Sequence, residues 1–295
     1  MDIPEPERMC LDLRTEYWDD ARARAAFKTF ISNIHGLDFS AWDEGGFWDP
    51  AYTPFSFFRG DTVVSSVCIY LLDVVINGEK TCLAQISGVG TLPGWRRRGL
   101  SRELTELGLA RARNKHNGVF LFADADAVPY YGRCGFSPID EFIETTQVTP
   151  VPNCGGLIKL DPGLPQDLEM IHEYAKRRTS VSDRFGVLND KLLMFHVLYR
   201  LRDRIYRIPD LDCLVSYART GDKLSIFDIV AENMPRFEKL YPYLASADDR
   251  IVEFHFSTDK LELLKPQRKP LTGNNPMIRG AFPVEAPVFP YSSRA

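Results

Sequence analysis

The feature that most restricts how this chain can fold is one continuous stretch, residues 85–136. It opens with a strand-like run that stops at Pro93, a residue with no backbone donor to continue a strand. Arg96-Arg97-Arg98-Gly99-Leu100-Ser101 follows and leads into a helix-forming segment. A second apolar run, residues 119–123, gives way to a helical turn around Tyr131 that Gly135 closes. Strand, glycine turn, helix, strand is an order that presents the free N–H groups of a helix start, where phosphate oxygens bind. Gly99 lets the backbone approach a ligand closely, and arginine grips phosphate as a fork. Three arginines before a helix N-terminus oppose the helix dipole. A bound polyanion offsets that repulsion, which a merely solvated basic corner does not, so the turn reads as an anion site in an order of parts that suits a pyrophosphate-bearing cofactor.

The residues before this stretch predict a strand at 9–13 and a helix from Asp19, with Ala25, Phe27, Phe30, Ile31 and Ile34 inward. Asp19 or Asp20 would cap the helix and Gly36 would end it. Residues 39–52 are aromatic and acidic, and their glycines and proline predict a loop without regular structure. Rings and carboxylates together could line a pocket for an organic amine, or the rings could pin the loop to the core. Strands follow at 52–58, 63–74 and 81–91, with Asn77-Gly78 as a hairpin turn. The helix after Gly99 carries a stripe of Leu100, Leu104, Leu107 and Ala110.

Arg96-x-x-Gly99-x-Ser101 resembles the Gln/Arg-x-x-Gly-x-Gly/Ala signature of the GNAT N-acetyltransferases. Thr91-Leu-Pro93 is similar to the end of that family's fourth strand, and Tyr131-x-x-x-Gly135-Phe136 to its later Tyr-x-x-x-Gly-Phe segment. The likeness spans roughly residues 9–145 and is greatest to the enhanced-intracellular-survival type. Two departures stand out: Ser101 where Gly or Ala is usual, and Asp124 where many members have Asn. The resemblance implies an α/β (α+β) fold, with a mixed sheet flanked by helices, and acetyl-CoA as cosubstrate. Backbone at Val89, Gly90 and Thr91 would pair with the pantetheine arm and polarise the thioester oxygen. Arg96, Arg97, Arg98, Gly99, Leu100, Ser101 and Arg102 would hold the pyrophosphate. Tyr131 takes the general-acid role, with Tyr130 as packing, and the carboxylate of Ala295 is a candidate catalytic partner because the chain terminus reaches the site in the resembled type. No base is evident from the residues alone.

Residues 150–156 read as a linker, which predicts domains at 1–148 and 149–295. The second part predicts helices at 165–178 and 190–207, a hairpin around Thr220-Gly221-Asp222, a helix at 233–244 and a strand at 251–256. That order repeats the cofactor region without its arginine–glycine turn, so the second part reads as a degenerate GNAT-like half, a tandem plan that mycothiol synthase resembles. It is expected to wall the acceptor pocket, with His196 a core residue and the Pro-rich segment from Lys265 extended over the body. A net charge of −4 over 295 residues argues against nucleic acid. No apolar run is long enough for a membrane helix, and a polar, acidic N-terminus argues against a secretory signal. Six scattered cysteines without a CxxC pair predict free thiols in a cytoplasmic protein, with no metal site. The leading expectation is acetyl transfer to a primary amine of a small molecule, with an aminoglycoside, polyamine or other cationic amine favoured by the acidic loop. A protein or peptide acetyltransferase and a non-catalytic acyl-CoA sensor are the alternatives.

Overall fold

A computed structural model describes residues 10–295; the acidic leader and Met9 lie outside them. The first half supplies β1 (Asp12–Thr15), β2 (Tyr52–Arg59), β3 (Thr62–Ile76), β4 (Glu79–Thr91), β5 (Val119–Phe122), β6 (Ser137–Pro138) and β7 (Glu141–Gln147). The second supplies β8 (Ile158–Lys159), β9 (Phe185–Val187), β10 (Ile205–Ile208), β11 (Cys213–Thr220), β12 (Lys223–Ala231), β13 (Ile251–Phe254), β14 (Gln267–Leu271) and β15 (Pro276–Arg279). The α-helices are α1 (Ala21–His35), α2 (Ser40–Glu44), α3 (Leu100–Ala112), α4 (Val128–Arg133), α5 (Pro165–Arg177), α6 (Asp190–Tyr199) and α7 (Phe237–Leu244).

The strands form two mixed sheets. The first runs β1-β2-β3-β4-β5-β15-β6, with β9 paired to the end of β3; the second runs β14-β7-β13-β12-β11-β10-β8. The sheets exchange strands across position 148. β7 lies between β13 and β14 in the second sheet, while β9 and β15 from the later part of the chain lie in the first. One apolar cluster joins Phe27, Trp42 and Tyr52 to Leu192, Phe195 and Phe289, so the halves share a core.

Local chemistry explains most boundaries. Asp20 Oδ1 accepts from the N–H groups of Arg22 and Ala23, and Gly36 closes α1 at φ 65°. Ala23 rather than Ala25 is the alanine α1 buries. Asn77 and Gly78 both take positive φ, 51° and 83°, as a tight hairpin requires.

Four further expectations need correction. Residues 39–52 hold a short helix, α2, ahead of the Gly45-Gly46 pair. The inward face of α3 is Leu100, Leu104, Thr105, Gly108 and Ala112, while Leu107 is 38% exposed. Gly108 sets that rotation: a Cβ there would lie 2.7 Å from Ile69 Cγ1, so the helix settles on its glycine against β3. The helix expected over 190–207 stops at Tyr199, because the alternating Ile205-Tyr206-Arg207-Ile208 pairs with β11 as a strand. α7 begins at Phe237, after Pro235 and Arg236.

Candidate active site

β4 and β5 are parallel but pair only at Ala84↔Val119 and Gln85↔Phe120, and then part. Where they part, β4 bulges. Cys68 faces Ser87 and Ser66 faces Gly90, so Gly88 and Val89 together oppose Val67. Gly88 sits at φ 55°, and a Cβ there would lie 2.8 Å from Tyr52 Oη and 3.1 Å from Cys68 Sγ. A Cβ at Gly90 would lie 2.7 Å from Ile34 Cγ2, so α1 lies directly on the strand. A cavity of about 990 Å³ opens in this wedge.

At one end of the wedge stands the start of α3. Its N-cap, Gly99, has φ 79°, offers no side-chain cap and has open space where a Cβ would be. Thr91 Oγ1 lies 2.7 Å from Ser101 Oγ and 2.9 Å from Ser65 Oγ. The Ser101 hydroxyl is therefore tied sideways to β4, which accounts for a serine in a place where bulk would obstruct the turn. Arg96 Nε donates to the Thr91 carbonyl at 3.0 Å. Val89, Gly90, Thr91, Arg96, Arg97 and Ser101 line the cavity. Arg98, Gly99, Leu100 and Arg102 are outside its lining: Leu100 is core, and Arg98 lies over the Trp95 ring at 4.9 Å. An uncapped helix start, an open glycine turn and an unpaired strand edge fit a diphosphate with an extended arm.

Tyr131 lines the same cavity and is 7% exposed, on α4. Burial, followed by Cys134 and Asp124, pushes its phenol well above the ordinary value, so it stays protonated at neutral pH. Tyr130, expected to pack away, also lines the cavity, its ring 5.0 Å from that of Tyr131. Asp124 and His35, the last residue of α1, line it too. Burial lowers the His35 pKa, and Asp124 pulls it partly back.

Thr91 lies six residue steps along β4 from Gln85, roughly 20 Å at the usual strand rise. At the Gln85 end the C-terminal segment enters. The Ala295 N–H donates to Gln85 Oε1 at 3.2 Å, and Ala295 lines the cavity. Arg294 is ion-paired to Glu141, which also accepts from Asn274 at 2.9 Å. His196, 2% exposed, lines the cavity rather than only filling core. Burial takes its pKa to about 3, so the ring is neutral and Nε2–H donates to the Arg294 carbonyl at 2.8 Å. Gln85 Nε2, His196 Nδ1 and Arg294 Nε are buried here without hydrogen-bond partners among the described residues. No spacing in the sequence marks His35, His196 or Arg294, because the fold alone brings them to one cavity.

The aromatic-acidic loop divides. Phe39 and Trp42 line the cavity. Asp43 pairs with Arg24 and Lys28, and Asp49 with Lys191, so those two carboxylates serve the scaffold. Among the described residues no cluster of three His, Cys, Asp or Glu could hold a metal ion, and no cysteine is in a disulfide.

The acetyltransferase (GNAT) domain family matches residues 49–139, which carry the bulge, the arginine turn and Tyr131. That segment is similar to a GNAT domain. Solved structures extend the likeness in fold beyond that segment. A GCN5-related N-acetyltransferase from Kribbella flavida is 18% identical with a TM-score of 0.52, over 92% of this chain and 71% of that one. A probable N-acyltransferase from Enterococcus faecalis is 14% identical with a TM-score of 0.58, over 91% and 72%. Eis1 from Mycobacterium abscessus is 18% identical with a TM-score of 0.51, over 91% and 73%. No curated protein sequence matches significantly.

The second half repeats the GNAT crossover: β12 and β13 are parallel around α7, as β4 and β5 are around α3. β12 also runs on past its last pair, Ile226↔Phe254. That second wedge is filled by protein. Arg178 forks Asp228 at 2.9 and 3.0 Å, Ser292 donates to the same carboxylate, and the Tyr291 N–H donates to the His255 carbonyl at 3.1 Å.

Proposed function

We propose that this GNAT-like domain moves an acetyl group from acetyl-CoA to a primary amine of a small molecule, by direct transfer. The observation that carries the reading is a single cavity joining the bulged edge of β4, the uncapped start of α3 and the protonated phenol of Tyr131. When bound, the cosubstrate supplies an activated acetyl thioester. The amides opening α3, with Arg96 and Arg97, hold its diphosphate. The β4 edge at Val89–Thr91 aligns its arm. An N–H at the bulge would stabilise the carbonyl oxygen where charge develops. Tyr131 gives its proton to the departing sulfur. Ala295, anchored by Gln85, brings a carboxyl group to the acceptor end, where an ammonium must lose its proton before it can attack.

Calorimetry with acetyl-CoA, followed by a thiol-release assay over an amine panel, tests the reading. Binding and amine-dependent release support it. Absence of binding overturns it, and binding without release to any amine leaves only a sensor.

A further inference from the structure

The part of the cavity beyond Gln85 has a chemical character that the acidic loop did not suggest. Its walls are rings and aliphatics: Phe39 and Trp42 from around α2, Leu192 and Phe195 from α6, and Tyr291 from the tail. The carboxylates of the loop face away, Asp43 onto Arg24 and Lys28 and Asp49 onto Lys191. The acidic side chains that do line the cavity, Asp124 and Asp126, follow β5 in the segment leading to Tyr131. Arg294 is engaged with Glu141. His196 donates to a backbone carbonyl. Arg200, the C-cap of α6, also lines the cavity; it is exposed and has no ion-pair or hydrogen-bond partner for its guanidinium among the described residues.

We infer that the acceptor is an amine with an apolar, preferably aromatic, body and an anionic group at its far end, bound with that group on Arg200. This rests on the acetyl-transfer reading. The amine would point toward Tyr131 and Ala295, the body would lie against Trp42 and Phe195, and the anion would meet the one cation of this wall that lacks a protein partner. Polycationic acceptors would meet Arg200 with no side-chain carboxylate paired to it. In the reaction the acceptor nitrogen forms a bond to the acetyl carbon, the carbon–sulfur bond breaks, the amine proton leaves to the protein, and the thiolate is protonated.

The test compares phenylalanine with phenethylamine and tryptophan with tryptamine, against spermidine and kanamycin, in wild type and in Arg200→Gln and Arg200→Lys. A charge-assisted contact inside a partly closed cavity predicts that the carboxylate-bearing member of each pair is favoured about tenfold in kcat/KM. Arg200→Gln should remove that preference, Arg200→Lys should restore part of it, and neither should shift the melting temperature of an otherwise intact protein. Faster turnover of spermidine or kanamycin than of either acid overturns the inference, as does an equal loss for both members of a pair in Arg200→Gln. Acetyl-CoA binding with no transfer to any of the six also overturns it. Failure to bind acetyl-CoA overturns instead the reading beneath it.

Discussion

Tyr131 owes its readiness as a donor to where α4 puts it. A phenol buried among apolar neighbours and near Asp124 holds its proton more tightly than one in water, so nearly every molecule carries the acid at neutral pH. Tyr131→Phe should lower kcat by about 10²–10⁴-fold. The dissociation constant for acetyl-CoA should change little, as stopped-flow and calorimetry on the same sample would read. His196 makes a different prediction. Its pKa falls to about 3 on folding from an ordinary value near 6.5. The unfolded chain therefore binds the extra proton between those values, and stability present above about pH 6.5 is lost as pH falls, by about 1.4 kcal/mol per unit. Thermal melts from about pH 7 to about pH 5 should show this slope in wild type and a shallower one in His196→Asn. The meeting of Arg96, Arg97 and Tyr131 on one cavity was legible because their spacing forms a pattern in the sequence. His196 and Arg294 were not, because a neutral imidazole on a carbonyl and a buried guanidinium on Glu141 leave no local pattern.

Among the elements, β4 does the most to shape the cavity. Its bulge turns a strand edge into a ledge, and Gly88 makes the bulge possible by accepting φ 55° beneath the Tyr52 hydroxyl. Gly88→Ala should destabilise the protein by about 1–3 kcal/mol, through positive φ and a close approach, and weaken acetyl-CoA binding. Chemical denaturation with a matched binding isotherm would measure both. Helix periodicity was readable where one face alone is buried, as in α1 and α5. It misled in α3, where a glycine rather than a leucine meets the sheet. It also ran too far in α6, which buries Leu192, Leu193, Met194, Phe195, His196 and Val197 in succession, so that no stripe marks its end. Neither the short α2 nor the two residues of β6 carries enough pattern to announce itself.

At the level of the whole molecule, the two sheets depend on each other. Arg178, Asp228 and Ser292 hold the tail in the second wedge, from which Arg294 and Ala295 extend to the cavity. Asp228→Ala leaves a buried guanidinium unpaired and should cost about 3–5 kcal/mol. It should also lower acetyl transfer disproportionately to acetyl-CoA binding, since the tail loses its anchor; urea unfolding and kinetics on one preparation would separate the two effects. Strand exchange was hidden from the sequence because β15 is a four-residue segment in a proline-rich stretch, far in sequence from its neighbours β5 and β6. Its consequence reaches back to biosynthesis. A ribosome making this polypeptide finishes the arginine turn and the tyrosine helix long before it threads out the piece that slots between β5 and β6. Until then the nascent sheet has an open seam beside β5, and the growing protein must be kept from pairing that seam with a stranger.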